Sequence, residues 1–121
     1  IVELLCESDF VAKNAQFQEL AHNIAMHIAA VNALYVSAAD IPAELIEAER
    51  EKASVEFKDK PKVMLDNIVI GKIKKYTDSI CLISQPYVKD PEKTINDIIN
   101  ETISKLGENI KVKRFCRFQI E

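Results

Sequence analysis

The sequence predicts an α+β domain in which helices pack on a small antiparallel sheet formed by the N- and C-terminal strands. Two observations carry this: an apolar, strand-like opening from Ile1 to Cys6, and an alternating stretch from Ile110 to Ile120 at the other end. A third is that the residues between them repeat apolar positions at three- and four-residue steps, the period of helices with one buried face. With 121 residues, 48% of them hydrophobic and 29% charged, the chain has the size and composition of one compact domain, so residues 1–121 are read as a single unit.

The elements follow in order. Ile1-Val2-Glu3-Leu4-Leu5-Cys6 reads as a strand that runs into a tight turn at Glu7-Ser8-Asp9. From Asn14 onward, Phe17, Leu20, Ala21, Ile24, Ile28 and Val31 lie on one stripe of a long helix, with Gln18, His22 and Asn32 elsewhere. Ser37-Ala38-Ala39-Asp40 has capping-box spacing, and Pro42 suits the first turn of a new helix. Ala43 to Phe57 reads as a solvent-washed helix rich in Glu and Ala. Lys58-Asp59-Lys60-Pro61 ends it, and Leu65, Ile68, Val69, Ile73, Tyr76 and Ile80 mark a second long helix containing Gly71. Asp90-Pro91 is a turn signal before a further helix with the stripe Ile95, Ile98, Ile99, Thr102, Ile103 and Leu106, for which Gly107 is the C-cap. In the final stretch Ile110, Val112, Cys116, Phe118 and Ile120 share one parity and Lys111, Lys113, Arg117 and Gln119 the other, with Arg114 and Phe115 as exceptions. Two strands make a marginal sheet, so an upstream strand or a partner chain is expected to complete it.

Several function classes are excluded or disfavoured by composition. The longest apolar runs are far short of the roughly 20 residues that cross a bilayer. A formal charge of −3 gives no global footprint for nucleic acid, so direct nucleic-acid binding is not expected. The three cysteines Cys6, Cys81 and Cys116 are widely spaced and match neither a disulfide framework nor a zinc pattern, which suits a reducing, cytoplasmic compartment. His22 and His27 lie five apart on a helix, the wrong spacing for a shared metal, so neither a metal nor a cofactor is expected and no catalytic residue is assigned. The chain opens at Ile1 without an initiator Met, and is expected to lack its natural beginning.

Against this background, Cys6-Glu7-Ser8-Asp9-Phe10-Val11-Ala12-Lys13-Asn14, between an apolar strand and a long helix, resembles the C-E-T-D-F-V-A signature of the elongation factor Ts family. Phe17-Gln18-Glu19-Leu20-Ala21, Ala25-Met26-His27-Ile28-Ala29, Tyr35-Val36-Ser37-Ala38, Ile41-Pro42-Ala43-Glu44, the segment Leu82 to Asp90 and Gly107-Glu108-Asn109-Ile110-Lys111-Val112-Lys113-Arg114-Phe115 resemble it in the same order. Ser8 stands where the family has Thr, a mild change because both hydroxyls can cap a turn. The family's N-terminal three-helix module and the first strand of its sheet have no counterpart here.

The resemblance implies a guanine-nucleotide exchange factor, not an enzyme, that binds elongation factor Tu in its GDP-bound or nucleotide-free form and promotes GDP release during translation. It implies that Ser8, Asp9, Phe10 and Val11 form the partner-binding turn, with Asp9 orienting Phe10 by bonding backbone donors. It also implies a homodimer, sheet against sheet; strand parity independently puts Val112, Cys116 and Phe118 at the contact, on the apolar face left open if the helices cover the opposite one. The residues allow other readings: Phe10 as a hydrophobic staple on the following helix, and Lys111, Lys113 and Arg117 as a basic stripe facing ribosome or RNA, or simply as a solvated sheet face.

Overall fold

The structure, a computed structural model, describes residues 1–120. Strand β1 (Val2–Leu5) leads through a short helix α1 (Asp9–Ala12) into the long helix α2 (Ala15–Ala30). After a 3₁₀ turn at Ala38–Asp40 come α3 (Ala43–Glu56) and α4 (Lys62–Ile80). A second 3₁₀ turn at Leu82–Ser84, the strands β2 (Pro86–Tyr87) and β3 (Asp90–Thr94), α5 (Ile95–Leu106) and β4 (Lys111–Phe115) complete the chain. β1 and β4 pair antiparallel, as the α+β reading requires, and β2 and β3 form a second small antiparallel ribbon.

The helices start and stop where local chemistry dictates. Asn14 caps α2, its side-chain oxygen accepting the Gln16 N–H at 2.7 Å. Thr94 and Asp97 form a reciprocal capping box at the start of α5, and Gly107 ends it at φ +74°, a left-handed conformation that favours glycine. Gly71 does not interrupt α4; it sits exposed within the helix, where an added Cβ would touch nothing.

Phe17, Leu20, Ile24 and Ile28 of α2, Ile95 and Ile99 of α5, and Ile110 and Val112 bury together with Val11, Leu82 and Tyr87 in one core, against which Val2, Leu4, Cys6 and Phe115 pack. α3 and α4 instead form an antiparallel arm whose buried residues, Ala53 and Val69, lie outside that core. Where the arm turns, Lys72 stands 5.5 Å over the Phe57 ring.

Two expectations fail, each for a physical reason. Asp90-Pro91 is not the turn: the chain reverses at Val88-Lys89, and Asp90–Thr94 is strand β3. Pro91 is tolerated because a two-stranded ribbon has an unbonded edge where a missing N–H costs nothing. The alternation from Ile110 to Ile120 also breaks. Glu3 pairs with Arg114 but its neighbour Leu4 pairs with Val112, so Lys113 is an extra residue, a β-bulge. One inserted residue exchanges the faces beyond it. Val112 and Phe115 therefore both turn toward the core, while Arg114 and Cys116 are exposed, and the pairing runs on to Ile1 and Cys116, which exchange backbone hydrogen bonds of 2.8 and 3.0 Å.

Candidate partner-binding site

The turn between β1 and α2 presents the most exposed aromatic side chain of the described residues: Phe10 is 89% exposed. It does not staple onto the following helix. Its neighbour Val11 points the other way and is buried in the core, so within the single turn of α1 one side chain anchors and the next is displayed. A helix of four residues cannot hold itself, and its order has to come from capping and from the Val11 anchor. Ser8 supplies the cap, its Oγ accepting the Val11 N–H at 3.3 Å while the backbone is extended at φ −137°. The same hydroxyl donates to Glu108 Oε2 at 2.6 Å, across 100 residues of sequence. Cys6 Sγ lies 3.3 Å from the Ser8 carbonyl oxygen.

The expected orienting role of Asp9 is not seen. Its carboxylate is exposed and makes no hydrogen bond among the described residues, and the cap of the turn is made by Ser8 instead. Ser8 is the closer donor-facing group because it occupies the N-cap, whose side chain points back at the third N–H of the turn, whereas Asp9 is already inside the helix and points outward. Sequence reasoning quoted Glu108 within its motif without giving it a role; nothing local marks a residue whose partner lies across the fold.

The residues expected at a dimer contact do not share a face. Val112 is 7% exposed and belongs to the chain's own core, because the helices cover the side of the sheet that the uninterrupted alternation would have left open. Cys116 and Phe118 are exposed beyond the bulge, together with Ile1 and Ile120. They border a shallow groove against Ala25, Ile28 and Ala29 of α2. Arg117 closes part of it, its guanidinium donating to the Ile28 carbonyl at 3.0 Å, so this cation is not available to a basic stripe. On the outer face of the sheet, the hydrogen bond from Arg114 holds the Glu3 carboxyl below its usual range, helped by the positive charges of Arg114 and Lys113.

The histidines separate as core and surface. His22 is exposed, and His27 is wholly buried within a hydrogen-bonded network. Among the described residues no group of three or more His, Cys, Asp or Glu could hold a metal ion, and no helix is long and apolar enough to cross a membrane.

Sequence comparison places this α+β body, with its aromatic residue on a capped turn directly before the long helix, in a class of translation elongation factors. A sequence profile described as Elongation factor TS matches residues 18–121. The chain is 52% identical to elongation factor Ts of Desulfosudis oleivorans, an alignment covering 99% of this chain and 62% of that protein. It is 53% identical to the protein of that name from Oleidesulfovibrio alaskensis, with 99% and 62% covered. With that of Thermotoga maritima the identity is 47%, with 99% and 60% covered. The chain belongs to the elongation factor Ts family. It spans about three fifths of the length of these relatives.

Proposed function

We propose that this chain is the part of a guanine-nucleotide exchange factor that engages elongation factor Tu and promotes release of its GDP. The observation that carries the reading is the 89% exposure of Phe10 on a turn held in place by the Ser8 cap and the buried Val11. A phenyl ring freezes few torsions when it docks, and its burial between two partner helices is worth about 1.5–3 kcal/mol, enough to hold them slightly apart. Displacing a helix next to the nucleotide disturbs the groups around the magnesium ion, and the diphosphate then loses its charge partner.

No covalent chemistry is needed for this. Exchange is a coupling between two ligands of one partner: the factor weakens GDP by the same ratio as GDP weakens the factor. No acid, base or nucleophile belongs to such a site, and no cofactor. Self-association through the end of β4 fits the exposed Cys116, Phe118 and Ile120, with Val112 supporting the strand from the core side. A ribosome- or RNA-facing role for the final strand fits less well, since Arg117 is engaged with α2 and Arg114 with Glu3.

The test is GDP release from elongation factor Tu loaded with a fluorescent GDP analogue, with and without the full polypeptide that carries these residues. Acceleration that persists at moderate salt supports an aromatic contact. No acceleration, or a steep loss with salt of the kind phosphate-tracking surfaces show, overturns the reading.

A further inference from the structure

We infer that Glu108 is a positioning residue for the Phe10 turn, acting through Ser8; the inference rests on the function proposed for Phe10. A hydroxyl can accept and donate at once, and Ser8 does both: it accepts the Val11 N–H at 3.3 Å and gives its own proton to Glu108 Oε2 at 2.6 Å. The second bond is made to a carboxylate, which makes it short and strong. With its proton committed to Glu108, the Ser8 oxygen has one rotamer and keeps its lone pair toward Val11. The cap is thereby locked, where a free serine would swing between water and backbone.

Glu108 is delivered to this place by the fold. Gly107 stops α5 in a left-handed conformation, and the chain then turns into β4, which is paired to β1, the strand that leads into Ser8. The other carboxylate oxygen, Oε1, is buried and has no partner among the described residues. Leaving a carboxylate oxygen unpaired in this way is costly. A side chain placed there only to fill space would be apolar. The polar group is accounted for by what Oε2 does, which is to fix Ser8. Two segments with no sequence proximity, the Ser8-Asp9-Phe10-Val11 turn and the Gly107-Glu108-Asn109-Ile110 turn, thus act as one device, with Phe10 as its working end.

The test uses Glu108→Leu, Glu108→Gln and Ser8→Ala in the full polypeptide, read by amide hydrogen exchange and by GDP release. Glu108→Leu is expected to speed exchange of the Val11, Ala12 and Lys13 amides by about five- to tenfold, the size of a weakened cap, with core amides of α2 unchanged. Glu108→Gln, whose amide oxygen still accepts from Ser8, is expected to restore most of that protection. Stimulated GDP release should fall mainly through a higher half-saturating concentration of the factor, and Glu108→Leu should add nothing once Phe10→Ala is present. If Glu108→Leu fails to fold, Glu108→Ala removes the same acceptor and carries the same expectations, while Ser8→Ala, which removes the cap as well, sets the largest loss of protection to be seen. Unchanged amide exchange at residues 11–13, or a Glu108→Leu loss that is equally large with and without Phe10, overturns the inference. If Phe10→Ala leaves GDP release intact, the proposed function falls instead, and the amide exchange still decides whether Glu108 orders the turn.

Discussion

His27 and Gln85 meet inside the protein, His27 Nε2 lying 3.0 Å from Gln85 Oε1 with both side chains buried. The Val88 N–H donates to His27 Nδ1 at 3.1 Å, so the ring proton sits on Nε2 and is donated to the amide oxygen. Gln85 spends its own NH₂ on the Asn32 and Ser79 carbonyls, at 3.2 and 3.0 Å. One amide therefore ties the end of α2, the end of α4 and the β2–β3 ribbon together. Gln85→Leu leaves a buried donor and two carbonyls without partners, and is expected to cost about 2–4 kcal/mol in urea unfolding. Gln85→Glu should be no better, because a carboxylate has no hydrogen to give either carbonyl. A loss below about 1 kcal/mol for both would show that water replaces the network.

Phe10→Ala is expected to change stability by no more than about 0.5 kcal/mol while removing most of the stimulated GDP release. Melting curves and release rates on the same preparation check both halves. A loss of about 3–5 kcal/mol, as for a core phenylalanine, would mean that the ring is buried in solution.

Asp9→Asn should reduce GDP release less than Phe10→Ala. The Asp9 carboxylate makes no hydrogen bond among the described residues, so its substitution leaves the cap and the display of Phe10 intact. Release rates for the two variants at matched concentrations decide the order. The reverse order would place the negative charge itself in the partner contact.

Acid should weaken the terminal sheet through Glu3. Its carboxyl is held below the usual range by the Arg114 hydrogen bond and by neighbouring positive charge, so it is ionised more readily folded than unfolded. Its contribution is therefore complete above the unfolded glutamate range and disappears as pH falls through the lowered folded value. Glu3→Gln is expected to flatten the melting temperature against pH in that acid window, lying slightly below the native protein at neutral pH and converging with it in acid; identical slopes for both proteins would refute the assignment.

The thiols should separate by exposure. Cys116 is exposed and is expected to react first with a thiol reagent, whereas Cys81 is 1% exposed and its thiol is pushed up by burial and by the Asp78 and Asp40 carboxylates. A raised folded value contributes stability that is complete below the unfolded thiol range and is lost as pH rises from there through the raised folded value, so Cys81→Ala should soften the alkaline fall in stability. If two copies associate through the end of β4, oxidant should crosslink the native protein and not Cys116→Ser, as read on non-reducing gels.

The parts legible in the sequence were those written in local chemistry. The α2 stripe from Phe17 to Ile28 and the Gly107 end of α5 stand where spacing and capping rules put them, whereas the Thr94–Asp97 box that starts α5 was not singled out. So does the exposure of Phe10, once the signature is noticed. The bulge at Lys113 was not legible because no glycine marks it: it is decided by the β1 partner, which lies at the other end of the chain. β3 was hidden by Pro91, a residue that usually argues against a strand and is harmless on an open edge. Ser8, whose hydroxyl the sequence already marked as able to cap the turn, takes the orienting role expected of Asp9, and Glu108 reached the site only through tertiary structure.

The arm formed by α3 and α4 joins the body at one end. Leu34 and Tyr35 donate to the Ile80 carbonyl at 2.9 and 3.1 Å, Leu82 donates to Tyr35 at 2.8 Å, and Gln85 holds Ser79. Since α4 has 19 residues, it reaches about 28 Å from that base. A tilt of roughly 10° at the base swings the far end by about 5 Å, the height of one helical turn. The short bonds around Ile80 and Gln85 thus form the fulcrum of a long lever, on which a small tilt at the base is magnified at Phe57 and Lys58.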